Sequence, residues 1–335
     1  MAGSNSTAGG RATEAGMSFQ AMVGTWLAAQ LVTDMPVGAR FGLGADLRPV
    51  ELQFETGDAL DDAVLRLADG GAIYFQCKTR PSLERGSDSA LAKTIVQLVR
   101  FAAEQRSKNP AIDPTRIAAV LAIADNAPRS IDTLDEACRN FDRGETWPAV
   151  VARVSGAQKD ALAVFRDHVA RSWKGEFGSD PSEDDLVDLA RLFRIRRFGA
   201  DAASADWREA TSLVGSRLYA GADQGGAPTS ALLEIVRQLI RSGAAADRNG
   251  LARALRSAGY HDTRAPGFDR DIDSLRRYTN EECERLARHT RLEADRRVPL
   301  ARECLPALKA AIDGGSLLSN RTQPRPPSRG QERPL

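Results

Sequence analysis

Histidine and cysteine are scarce in this chain. Among 335 residues only His168, His261 and His289 are histidines, far apart and without an H-x-x-x-H or H-E-x-x-H pair, so no histidine-built metal centre is expected. The four cysteines, Cys77, Cys138, Cys283 and Cys304, are widely spaced and include no C-x-x-C. That argues against a zinc ribbon or a disulfide framework and points to a reducing cytoplasm. No apolar run approaches a membrane span, and the opening MAGSNSTAGGRATEAG is small and polar, without the apolar core of a signal peptide; residues 1–16 read as a disordered leader. There is no G-x-x-x-x-G-K-[ST] phosphate loop, and the G-x-G at Gly42 to Gly44 lacks the third glycine and the following helix that dinucleotide binding needs. A global charge excess is missing too. With 46 Lys and Arg against 45 Asp and Glu the net charge is +1, so any nucleic-acid surface would have to be local.

What is present describes an ordinary soluble protein. Hydrophobic residues make up 42% and charged residues 27%, enough for a sizeable core, and the length allows roughly two or three domains. From Met17 to Val32, Phe19, Met22, Val23, Trp26, Leu27 and Leu31 recur at three and four positions, predicting a helix with one buried stripe. Val50, Leu52 and Phe54 alternate with Glu51 and Gln53, predicting a half-buried strand. Two further strand-like segments, Ala63 to Ala68 and Ala72 to Cys77, are joined by Asp69, Gly70 and Gly71, a hairpin composition. A helix over 89–106 and a buried strand over 116–124 then complete the order helix, three strands, helix, strand.

The chemistry-bearing residues sit at the ends of that hairpin. Asp61 and Asp62 stand just before its first strand. Gln76 and Lys78, two apart at the end of its second, leave the same face. A carboxylate, an amide oxygen and an ammonium converging at one sheet edge suit phosphodiester hydrolysis, in which carboxylates and carbonyl oxygens hold Mg²⁺ and a lysine orients or deprotonates the attacking water. Cys77, alternating off that face, reads as a small core residue rather than a nucleophile.

Asp62, Gln76, Cys77 and Lys78 match, in that order, the motif of the PD-(D/E)XK nuclease superfamily, which the first 130 residues resemble in element order as well. The resemblance implies an α/β, restriction-endonuclease-like core (αβββαβ) over 17–130. The opening GMSFQAMVGTWLAAQLV, with Glu55, Asp61, Asp62 and QCK, is similar to the double-stranded DNA endonuclease domain of bacterial anti-phage effectors. Such domains occur in CBASS and at the N-terminus of antiviral STAND proteins. On that resemblance Asp62 is the principal metal ligand, Asp61 a second candidate, Gln76 an amide ligand and Lys78 the residue that orients the water. Glu55 is an auxiliary acid and Gln20 a further group approaching the Mg²⁺ or Mn²⁺. A non-catalytic adaptor with a decayed nuclease fold is the alternative.

Beyond Ser130 helices alone are expected: a helical extension over 131–227, a helical lobe over 228–315 and a disordered Pro- and Arg-rich tail over 316–335. Within the lobe, Ser230 to Ile240 and Leu251 to Gly259 could form a helix-turn-helix-like unit with Arg237, Arg241, Arg248, Arg253 and Arg256 on one face, although arginines on amphipathic helices are more often a solvated face. A helix pair is expected over 268–312. The fragment LKAAIDGGSLL resembles the lead-in to a STAND phosphate loop and then stops, so the expectation is either a separate nuclease and adaptor subunit or a chain cut from a longer effector. The expected partners are double-stranded DNA and a second copy or a defence-complex protein, with no membrane.

Overall fold

The structure, a computed structural model, describes residues 5–57, 59–60, 62–108, 112–217, 225–260 and 309–310. The chain divides into two compact units, Met1–Arg264 and Ala265–Leu335. Every element below belongs to the first. Of the second only Lys309 and Ala310 are described, as helix, so the expected helix pair and tail lie outside the described residues.

The first unit is α/β, built on a mixed six-stranded sheet. Its strands are β1 (Pro49–Gln53), β2 (Ala63–Leu67), β3 (Ala72–Lys78), β4 (Ile117–Ala124), β5 (Phe193–Phe198) and β6 (Ala245–Asp247). They lie in the order β5-β4-β3-β2-β1-β6. β3, β4 and β5 are parallel, while β2, β1 and β6 continue the sheet antiparallel. Because side chains alternate across a strand, each strand feeds two cores. Val64, Tyr74, Leu121 and Ile123 face one side, covered by α2 (Ala90–Lys108), α3 (Ser130–Arg139), α4 (Trp147–Arg153), α5 (Gly156–Phe177) and α6 (Glu183–Leu192). Leu65, Ile73, Phe75 and Val120 face the other, covered by α1 (Asn5–Thr33), α7 (Ala205–Arg217), α8 (Gly226–Ser242) and α9 (Arg248–Ser257).

α1 is buried nearly all round from Phe19 to Thr33, because α7 and α8 pack over the side turned away from the sheet. Small residues make this close fit possible. A side chain at Gly24 would come within 2.8 Å of both Phe54 and Val236, so only glycine lets α1 pass between the end of β1 and α8. The buried polar groups described in α1 are satisfied within it or across it: Thr25 donates to Ala21 O, and Trp26 Nε1 donates to Glu209 of α7 at 3.0 Å. The helix also starts earlier than expected, at Asn5 within the supposed leader. Once the packed half has nucleated the helix, each further residue of ATEAG adds a hydrogen bond at low entropic cost.

The hairpin forms as expected. Gly70 takes the left-handed φ of 81° that closes the turn. Gly71 lies so near β4 that a Cβ would stand 2.3 Å from Arg116 O. β1 departs in one detail. The register slips by one residue between Pro49 and Glu51, a bulge that turns Val50 outward, so it is 44% exposed while Leu52 and Phe54 are fully buried.

The main correction concerns the stretch after Ser130, which does not consist of helices alone. Both the expected extension (131–227) and the expected lobe (228–315) lend a strand to the one sheet. β5, FRIRRF, lies parallel to β4, with its arginines neutralised: Arg194, 3% exposed, meets Asp142 at 2.6 Å, and Arg196 meets Asp206 at 3.0 Å. β6 is too short and alanine-rich to form alone. It forms because Gly243 (φ 58°) ends α8 and sends the chain back along β1, where Phe54 N donates to Ala244 O. Among the described residues no helix is long and apolar enough to cross a membrane.

Candidate functional site

β3, β4 and β5 run parallel, and β2 begins where β3 ends, with Ala63 opposite Phe75. Asp62 therefore stands at the carboxyl ends of the parallel strands, where side-chain chemistry gathers in open α/β sheets. Its carboxylate Oδ2 accepts two short hydrogen bonds, from Gln76 Nε2 at 2.6 Å and from the Cys77 backbone N at 2.6 Å. From the far side of the sheet end, Gln20 Nε2 of α1 donates to the Asp62 carbonyl at 2.8 Å. Two separated pieces of sequence thus fix one aspartate.

Gln76 carries the most informative atom. A carboxylate can only accept, so the Gln76 amide must present its NH₂ to Asp62. Its Oε1 is left on the other side, buried and without a hydrogen-bond partner among the described residues, in a residue only 2% exposed. An unpaired buried acceptor costs about 1–3 kcal/mol. Such an atom calls for a donor or a cation. Lys78, half-buried, follows on the same face two residues along and pairs in register with Ile123. Cys77 points the other way and packs into the α1-side core. Burial pushes its thiol well above the ordinary range, Asp62 adds to this and Lys78 opposes it, so the sulfur stays protonated and is no nucleophile.

Of the remaining expected residues, Asp61 lies outside the described ones. Glu55 is exposed at the same end of the sheet, but beside α8: a Cβ on Gly243 would lie 4.0 Å from Glu55 Cβ. It holds an unusual left-handed φ of 47°. Gln20 does approach the site, and its amide N–H is committed to the main chain of Asp62 rather than to the carboxylate.

Two supporting groups escaped sequence reasoning. Arg197 of β5 gathers the loop that leaves β4: Nη1 donates to the carbonyls of Asp125 and Ala127 at 3.0 and 2.9 Å, Nη2 to Pro128 O at 3.0 Å, and Asp132 accepts from the same guanidinium. His168 and Arg171 of α5 do the same for the loop that leaves β3. These partners stand some 65 to 86 positions away in sequence, and no local spacing announces them.

The expected helix-turn-helix-like unit takes another form. Its two helices, α8 and α9, are separated by β6 and both pack on α1. Arg237 and Arg241 pair with Glu234, and Arg248 with Asp34, so the arginine face is in part neutralised by the chain itself. Among the described residues no group of three or more His, Cys, Asp or Glu side chains is placed to hold a metal ion. Compared with known proteins, the chain matches no protein-family model and no curated protein.

Proposed function

We propose that the chain is a Mg²⁺- or Mn²⁺-dependent endodeoxyribonuclease with a restriction-endonuclease-like core, a cytoplasmic effector of bacterial anti-phage defence. In this reading it hydrolyses phosphodiester bonds of double-stranded DNA with little sequence specificity, and it works once assembled with a second copy or a defence-complex partner. The observation that carries the reading is the buried Gln76 Oε1 beside Asp62, without a hydrogen-bond partner among the described residues, with Lys78 next on the same face.

Asp62 and Gln76 are the residues that would hold the ion. One carboxylate and one amide oxygen suit Mg²⁺, which commonly takes one or two carboxylates and fills its remaining positions with water and substrate phosphate. Asp61, adjacent in sequence, would add charge to this set. When bound, the ion supplies Lewis-acid polarisation of the phosphate and a more acidic water. The chain does the rest. Cys77 N and Gln20 keep Asp62 from swinging away from the strand end. Lys78 holds the attacking water by hydrogen bonding and offsets the negative charge that builds on the phosphoryl oxygens.

A second reading, the non-catalytic adaptor, has one observation in its favour. The Asp62 carboxylate already accepts two donors from its own chain, which ties the sheet end together without an ion.

Incubation of the purified chain with supercoiled plasmid, with Mg²⁺ or Mn²⁺ and with or without EDTA, separates the two. The nuclease gives nicked and linear DNA only with the metal, more steeply than linearly in protein concentration, as light scattering registers assembly. Absence of metal-dependent cleavage across that titration, including under forced dimerisation, leaves the adaptor.

A further inference from the structure

The loop of residues 79–89 carries the chain from Lys78 into α2, and it is fastened to α5 through its main chain. His168, 2% exposed, has its Nε2 2.7 Å from Glu84 O. A carbonyl only accepts, so Nε2 bears the proton. Nδ1 lies 2.9 Å from Arg171 Nη2. A guanidinium only donates, so Nδ1 is bare. The same Arg171 Nη2 donates to Arg85 O at 2.9 Å, and Arg85 closes the ring with Asp167 at 2.6 Å. The partners on both sides therefore require the neutral Nε2–H imidazole.

We propose that His168 is a positioning residue for the site at the end of β3: uncharged, it straps the 79–89 loop to α5, and protonation at mildly acidic pH releases that loop and loosens Lys78. Its consequence for cleavage rests on the hydrolytic reading above; the strap itself does not. A proton on Nδ1 would set an N–H against the Arg171 guanidinium, two donors and two positive charges face to face with no acceptor between them. Burial holds the His168 pKa below its usual value. The Glu84 carbonyl and Asp167 oppose that, and Arg171 and Arg85 reinforce it. On the neighbouring helices, Arg100 of α2 is engaged with Glu176, Lys93 is exposed, and Asp132 and Asp135 of α3 are engaged with Arg197 and Arg139.

The sign follows from the depressed pKa. The released loop binds a proton near the ordinary value of about 6.5, the strapped loop only at lower pH. The strap is therefore at full strength above that value and weakens as pH falls below it. At pH 5.5 the opening equilibrium should rise by up to about tenfold over that at pH 7.5.

Hydrogen exchange over residues 79–89 of the full chain, corrected for intrinsic rates, tests this at the two pH values. His168→Gln keeps a donor and an acceptor but cannot take the proton, while His168→Phe keeps neither. The wild type should lose protection at the acid pH, by up to about tenfold, His168→Gln should stay level, and His168→Phe should be unprotected at both. Plasmid cleavage should follow the same profile: acid-sensitive in wild type, flat in His168→Gln. If His168→Phe does not fold, the comparison of wild type with His168→Gln decides. Equal pH dependence in those two chains, or none in the wild type, overturns the strap. A pH-dependent loop without detectable cleavage supports the strap and removes the hydrolytic reading.

Discussion

The guanidinium of Arg196 lies 4.0 Å over the centre of the Trp26 ring, joining β5 to α1. Phe198 and Phe41 complete an aromatic box at 4.3 and 5.5 Å, and Asp206 of α7 pairs with the same side chain at 3.0 Å. Burial, the largest influence, brings its pKa down to about 10, so the cation persists at neutral pH and its charge must be balanced where it sits. Lysine keeps the charge but not the plane that stacks on the rings. Arg196→Lys should therefore destabilise the fold by about 1–2 kcal/mol in urea denaturation. A change within a few tenths of a kcal/mol would mean the aromatic box contributes nothing beyond burial.

Lys78 has little packing to lose, since it is half-buried at a strand end. Lys78→Ala should leave the circular dichroism spectrum and the melting temperature close to wild type and lower plasmid cleavage by about a hundredfold or more. Wild-type nicking by this variant would remove the lysine from the chemistry.

Gln76→Glu puts a second carboxylate where an amide now donates to Asp62 at 2.6 Å. Two carboxylates so close cannot both ionise freely without a cation between them. In EDTA at neutral pH the variant should melt below wild type, and it should recover as pH falls and one of the pair takes a proton. Mg²⁺ should raise its melting temperature by more than it raises that of wild type. Equal responses of the two chains to Mg²⁺ and EDTA in differential scanning calorimetry would place the ion elsewhere.

Burial raises the thiols of both Cys77 and Cys138 well above the ordinary range. Since the thiolate is the reactive species, iodoacetamide at pH 8 should label these two at least about tenfold more slowly in the native chain than in urea. Mass spectrometry of the modified peptides reads this directly. Rapid native labelling of Cys77 would contradict its place in the core beneath the site.

The elements that can be read from the sequence are those whose pattern is local. β3 and β4 are apolar runs bounded by glycine, proline or asparagine, and α2 and α5 show a plain helical period. The Gln76 and Lys78 pairing is legible for the same reason, because alternation along one strand decides which side chains share a face. What cannot be read depends on distant partners. β5 looks unlike a buried strand because three arginines alternate among its apolar residues, and Asp142, Asp206 and Asp132, each from another element, make them tolerable there. The outward turn of Val50 comes from a bulge, which alternation does not reveal. The bond from Gln20 to the Asp62 main chain spans 42 positions, and nothing in GMSFQ specifies which atom the amide will meet.

The two outer strands of the sheet come from residues 193–198 and 245–247, long after the strands they flank. During synthesis, β1 and β4 therefore leave the ribosome with unpaired edges, and α1 emerges first yet waits for α7 and α8 to cover it. Pairings this remote in sequence form slowly, and bare strand edges are where nascent chains stick to one another. A fragment ending near residue 130 carries Asp62, Gln76 and Lys78 but lacks both edge strands and much of the cover on either face. Expressed alone, it should aggregate, so the smallest unit able to present this site folded runs to about residue 260.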